Sequence, residues 1–215
     1  MKKIGLVFNI PYLLTLLVLF PACIIVLWCF ANNSLAQTKN GFRDISFGTK
    51  KEDVRASLQR IALETGSELM IGKYIDVTKL WHYSIGGKEY LIEFFFDHKD
   101  RFYCFEIIWP WPETADYLDS VVKKDVEFLT DIFKNKYGNP TSCKGFPSIL
   151  QIKSGAIASV CKWETAEITA FTGVMEEEYK YYAVGRVLDN KLFDEYWDHK
   201  HKKQSEKAVK GAKDF

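Results

Sequence analysis

The sequence predicts an α+β fold: an antiparallel sheet built from two αβββ-type halves with helices packed on one face, preceded by an N-terminal apolar helix. Three observations carry that expectation. Lys79–Trp111, KLWHYSIGGKEYLIEFFFDHKDRFYCFEIIWPW, is the densest run of aromatic and β-branched residues in the chain. Stretches with apolar residues at helical spacing lie before and after it. The order helix, three strands then occurs twice within a domain over residues 41–190, with halves at about 41–112 and 113–190.

The 215-residue chain opens outside that domain. Lys2 and Lys3 are followed by no charge until Lys39, and Ile10–Phe30 is a 21-residue uncharged run, so residues 1–36 read as a membrane-targeting element. Ser34-Leu35-Ala36 offers small residues at the minus-three and minus-one positions of a cut before Gln37. The run also approaches the roughly 20 residues that span a bilayer. Two readings stand: a signal peptide cleaved near Ala36, or an uncleaved anchor helix over residues 10–30. In both, the two lysines stay cytoplasmic and the remainder is sent outward, to an exported or periplasmic location. Cys23 is followed by IIVLWCF, too apolar for the start of a mature lipoprotein.

In the domain, Phe42–Phe47 reads as a short extended segment turned by Gly48 into a first helix, about Lys50–Glu64. Thr49 and Glu52 form a capping box, and Val54, Leu58, Ile61 and Ala62 recur at helical spacing. Residues 65–78, broken by Gly66 and Gly72, read as a short extended segment. Leu80–Ile85, Glu89–Phe96 and Arg101–Ile108 are three strands. The Gly86–Lys88 turn and the polar Asp97–Asp100 link are too short for crossover helices, so the three form a meander. One face is buried and the other partly covered, by a helix or by the C-terminal part. Within the third strand, alternation places Tyr103, Phe105 and Ile107 on one face and Phe102, Cys104 and Glu106 on the other.

Pro110 and Pro112 end the meander, and Ala115–Tyr137 reads as one long helix or two abutting ones, stopped by Gly138 and Pro140. This helix is expected to pack on the strands Glu89–Phe96 and Arg101–Ile108. Strands are then expected at Ala158–Glu164, Glu167–Thr172 and Tyr179–Leu188, with a further candidate at Ser148–Ile152 and a solvated turn at Glu176–Glu178. Asn190–His199 looks helical. Residues 191–215 form a charged C-terminal helix or tail, Lys-rich from Lys200 onward and frayed or disordered there.

Function is bounded mostly by exclusion. Removing Lys2 and Lys3 leaves 27 basic against 28 acidic residues, which argues against a nucleic-acid partner. No G-x-x-x-x-G-K-[ST], G-x-G-x-x-G, H-E-x-x-H or G-x-S-x-G occurs, so no catalytic residue, cofactor or metal is assigned. His199 with His201, and Asp97, His98 and Asp100, read as solvated polar groups rather than cation sites. Cys104 reads as a buried thiol, while Cys143 and Cys161 are free to pair in an oxidising compartment. Trp109 and Trp111, in Trp109-Pro110-Trp111-Pro112, point the same way if the segment stays extended. They either cap the core or form an aromatic platform for a glycan or partner protein.

The run FGTKKEDV from Phe47, the YGNP stop at Tyr137–Pro140 and a W-x-T strand start at Trp163 resemble small exported bacterial proteins related to the outer-membrane assembly lipoproteins and the β-lactamase inhibitory proteins. The chain resembles more closely a group of uncharacterised exported bacterial αβββ-repeat proteins with an FxGxxFG start, from which it departs at Asp44. The likeness covers Phe42–Leu58 and Phe128–Pro140. It implies a non-catalytic binding or assembly role toward a protein or cell-envelope component. The alternative is an envelope enzyme or enzyme inhibitor with an unrecognised site; a cleft of converging ionisable groups favours the enzyme, an apolar sheet face favours binding.

Overall fold

The computed structural model describes residues 40–72 and 78–211. Residues 1–36, with the targeting role and apolar helix expected of them, therefore lie outside the described residues. A small hairpin, β1 (Gly41–Phe42) with β2 (Ile45–Ser46), leads into helix α1 (Lys51–Thr65). Then follow β3 (Glu68–Ile71), β4 (Thr78–Ile85), β5 (Lys88–Phe96) and β6 (Phe102–Ile108). The second half begins with a 3-10 turn at Ala115–Tyr117 and a π turn at Leu118–Val122 that run into α2 (Lys123–Tyr137). It continues with β7 (Ser142–Cys143), β8 (Ile157–Glu164), β9 (Ile168–Glu177), β10 (Lys180–Asp189) and α3 (Asn190–Gly211).

All eight main strands join in one antiparallel sheet, ordered β3-β4-β5-β6-β10-β9-β8-β7. Each half contributes a helix and four strands, laid out from the sheet edge inward, and the last strands of the two halves, β6 and β10, pair at the centre. The repeat is thus αββββ rather than αβββ. The added strands come from the segment read as merely extended, which pairs as Glu68–Ile71 with β4, and from the two-residue β7. Edge strands of four and two residues are too short to show a strand period in the sequence.

The expected turns hold where glycine is needed. Gly86 and Gly87 have φ of 59° and 80°, the left-handed pair of a tight hairpin. Gly138, also at positive φ, closes α2 and donates to the Lys134 carbonyl at 2.8 Å. Other local expectations fail. Thr49 makes no capping box: Lys50 is the N-cap without a side-chain bond, and the first-turn N–H of Lys51 donates to the Asp100 carbonyl at 2.9 Å instead. Ser148–Ile152 holds a 3-10 turn with a Ser148–Gln151 capping box, not a strand. Glu176 is not in a solvated turn but inside β9, its carboxylate accepting from the Tyr179 N–H at 2.6 Å. Trp163 and Thr165 end β8 and enter the next turn rather than starting a strand. Lys200 onward is not frayed but the second half of α3.

The main core lies between the sheet and α1 plus α2. Val54, Leu58 and Ile61 of α1 and Val126, Leu129 and Phe133 of α2 meet Leu80, Ile92, Phe94, Phe105, Ala170, Ala183 and Val187. Each helix covers its own half: α1 packs on β3 and β4, and α2 on β8, β9 and β10 rather than on β5 and β6 as expected. Gly185 admits α2, since a Cβ there would lie 2.7 Å from the Phe133 ring. A buried Thr130–Thr172 hydroxyl contact of 2.7 Å also joins α2 to β9. β5 and β6 are adjacent as expected, and Phe105 is inside. Tyr103 departs from the simple alternation. Tyr103 is the extra residue of a bulge in β6, where Phe95 pairs with Cys104 and Phe96 with Phe102; it joins Cys104 on the second sheet face and leaves Phe102 with Phe105 in the main core.

That second face carries α3, so helices are not confined to one face. Leu192 is buried against Tyr103, Cys104 and Leu188, and Tyr196 stacks on Tyr103 with ring centroids 5.0 Å apart. Arg101 pins the helix, donating from Nε to Asp97 at 2.7 Å and from Nη2 to Glu195 at 2.5 Å. Beyond His199 the helix leaves the sheet and is exposed.

Candidate binding face

α3 covers only one end of the second sheet face. The remainder is a concave cleft of about 610 Å³ walled by the Trp109–Pro112 segment and the Gly155 loop. Its floor is Leu91 and Ile108, each under 8% exposed and packed on the buried Val184, with Trp81, Met175 and Tyr182 on the rim. A second hollow on the same face, lined by Ile157, Phe171, Arg186 and Phe193, lies against α3.

Through this face runs one cross-strand row in exact pairing register: Met70, Lys79, Glu93, Glu106, Arg186, Phe171, Lys162. At about 4.8 Å per strand, Lys79 and Lys162 stand roughly 24 Å apart. Two carboxylates, Glu93 and Glu106, are direct neighbours in the middle, each held by a cation on its outer side: Lys79 on Glu93 and Arg186 on Glu106. Glu106 is 4% exposed. Burial pushes its carboxyl above the ordinary range, the Arg186 guanidinium pulls against that shift, and Glu93 adds to it. The Arg186 guanidinium also lies 5.5 Å from the Phe171 ring centroid, stacked toward the open side. Lys79, Glu93, Glu106 and Arg186 thus make a charged strip, neutral in sum, set in apolar and aromatic surroundings, with Lys162 beyond Phe171 adding one positive charge.

Trp81 reaches the rim through a bulge in β4 between Leu80 and Tyr83, where His82 takes a left-handed φ of 56°. The extra residue keeps Leu80 and Tyr83 on the core side and leaves Trp81 on the open one. The Trp81 Nε1 is buried with no hydrogen-bond partner among the described residues. Strained backbone and an unpaired donor beside a cleft are features that accompany ligand sites.

The two tryptophans singled out in the sequence separate. Trp109 belongs to the core margin: its ring meets Tyr90 edge-on at 5.4 Å and covers the Lys88 ammonium at 4.9 Å. Lys88 in turn pairs with the buried Asp125 at 2.9 Å. Trp111 is 61% exposed, so the pair does not form a two-ring platform. Cys143 and Cys161 face each other across β7 and β8 with Cα atoms 4.1 Å apart and are joined as a disulfide. Cys104 is buried, and its burial raises the thiol well above its ordinary pKa, which leaves it inert as a nucleophile.

The polar turn offers no free carboxylates. Burial raises the Asp97 pKa, but bonds from the Arg101 side chain and from the Arg101 and Lys99 N–H groups outweigh it and hold the carboxyl below its ordinary range. Asp100 pairs with Lys51 at 2.5 Å. His98 stacks on His199 at 3.8 Å, and His201 on Trp197. Among the described residues, no group of three or more metal-ligating side chains converges.

Comparison with family models, with curated proteins and with solved structures finds no match to this chain. Among the described residues, no helix is long and apolar enough to cross a membrane. The disulfide fits an oxidising, extracytoplasmic setting.

The sequence reading missed Lys79, Trp81, Glu93, Glu106 and Arg186. A signal was present: Glu106 stands alone in FYCFEII, Glu93 in YLIEFFF and Arg186 in YYAVGRVL. A single charge within an apolar strand needs a partner across the sheet or a ligand in front of it.

Proposed function

We propose that the chain is an exported, non-catalytic binding protein of the bacterial cell envelope that holds a partner protein against its open sheet face. The observation that carries this reading is the cleft itself. A sheet closed on one face by α1 and α2 is left uncovered on the other, between α3 and the Trp109–Pro112 segment. Tyr182, Trp81 and Met175 ring a charged strip there. Rigid aromatic and methionine side chains around a few fixed charges suit protein recognition, where the rings supply contact area and the charges supply register. Export is supported by the targeting run Ile10–Phe30 and by the disulfide.

The neighbouring carboxylates Glu93 and Glu106 favour an enzyme as the second reading, since a raised carboxyl beside another is a common acid–base arrangement. Each is already held by its own cation, which favours a structural role for the pair. One experiment separates the readings. In a Met175→Ala/Tyr182→Ala variant with unchanged melting temperature, a binding protein loses the partner recovered with wild type from envelope fractions. Retained capture by that variant refutes binding through this face.

A further inference from the structure

We propose that the junction of α3 with the β5–β6 turn is a binding site for phosphate-bearing anions, separate from the open sheet face. A hollow of about 430 Å³ lies there, with Phe96 and Tyr196 on its floor, the His98–His199 stack at its side and Lys200, Lys203 and Lys207 along its wall. The three lysines occur at i, i+3 and i+7 of α3, so they share one helix face. They span roughly 10.5 Å at 1.5 Å per residue, the reach of a diphosphate or one lipid headgroup.

The three lysines form no ion pair among the described residues, and the one carboxylate of the helix that acts on His199 is Glu206. Among the described residues, neither Lys203 nor Lys207 has a carboxylate within ion-pair distance, and Lys200 meets only the Tyr196 and Trp197 rings, the latter at 4.5 Å. Asp97 borders the hollow, but its carboxylate is spent on Arg101 and on backbone N–H groups. Like charges at these spacings destabilise a helix unless an anion lies between them. Ammonium groups are compact charges that grip phosphate without requiring a planar partner. The imidazoles add two ring N–H donors, and the aromatic floor accepts the apolar part of whatever carries the phosphate. With a whole-chain charge of +1 and a hollow this small, a single phosphorylated group fits and a nucleic-acid backbone does not.

The test uses the full-length chain in neutral detergent micelles. It is titrated by calorimetry with inorganic pyrophosphate, and separately with micelles carrying phosphatidylglycerol or phosphatidylcholine, while NMR follows the His98 and His199 ring signals. Lys203→Gln/Lys207→Gln removes two charges from the hollow; Lys124→Gln/Lys180→Gln removes two from exposed positions that do not line it. The first variant is expected to weaken binding about tenfold or more and the second less than about twofold, with both imidazole signals shifting only in the wild type and the second variant. Saturation by pyrophosphate assigns a soluble phosphate compound, and binding to phosphatidylglycerol micelles alone assigns a lipid headgroup. Binding to neither, or equal weakening in both variants, overturns the site.

Discussion

Phe105→Ala tests the placement of the core. Phe105 is 2% exposed and its ring lies 5.4 Å from Phe42, 6.2 Å from Phe47 and 6.3 Å from Phe102, so it ties the N-terminal hairpin to the centre of the sheet. Truncating a buried phenylalanine costs about 3–5 kcal/mol. Against a typical domain stability of roughly 5–15 kcal/mol, that is a large fraction. For a protein of this size it corresponds to a fall of about 6–20 °C in melting temperature. Urea unfolding followed by tryptophan fluorescence measures the loss, with Leu150→Ala, at a site 93% exposed, as the control expected to stay within about 0.5 kcal/mol. A loss below about 1 kcal/mol for Phe105→Ala would refute the core as described.

Other outcomes follow from the same geometry. Replacing Cys143 and Cys161 by serine opens a loop of sequence separation 18 and is expected to lower stability by about 3 kcal/mol, read from urea midpoints with and without reductant. Trp109→Ala uncovers Lys88 and Tyr90 and is expected to cost about 2 kcal/mol or more, whereas Trp111→Ala leaves abundance on an immunoblot unchanged. Burial, then the charges of His98, Lys203 and Lys202, hold His199 below its ordinary pKa, with Glu206 opposing. The released helix therefore binds that proton more readily than the docked one. Docking is unaffected above the ordinary histidine range and weakens as pH falls below about 6.5. Asp97 and Glu195, both depressed, stay ionised there and do not contribute. Amide exchange in α3 is expected to quicken between pH 7.5 and 5.5 in the wild type and to lose that dependence in His199→Asn.

The strands of the meander were legible because β5 and β6 are long, aromatic and joined by turns with definite chemistry, Gly86-Gly87 and Asp97–Asp100. The two helices facing the core were legible from Val54, Leu58 and Ile61 and from Leu129 and Phe133. The edge strands were not. Glu68–Ile71 has only four residues, and Ser142–Cys143 is defined by pairing with β8 rather than by its own side chains. Bulges were equally invisible: nothing in RFYCF announces that Tyr103 and Phe105 face opposite ways, because Tyr103 becomes the extra residue of a bulge only through the register in which β6 pairs with β5. The disulfide could be inferred from cysteine identity, but the candidate cleft could not be read from Trp109-Pro110-Trp111-Pro112. Only one of those rings packs inward, and the row Lys79, Glu93, Glu106, Arg186 is completed by a strand from the other half, with Arg186 and Glu106 separated by 80 residues in sequence.

Photo-crosslinking from the open face tests the binding role most directly. With p-benzoylphenylalanine in place of Tyr182, on the cleft rim, irradiation of cells carrying the full-length chain is expected to give a discrete higher-mass adduct. The same group in place of Leu63, 78% exposed on the far side of α1, is expected to give none. Adducts from Leu63 with none from Tyr182 would contradict binding through the sheet face.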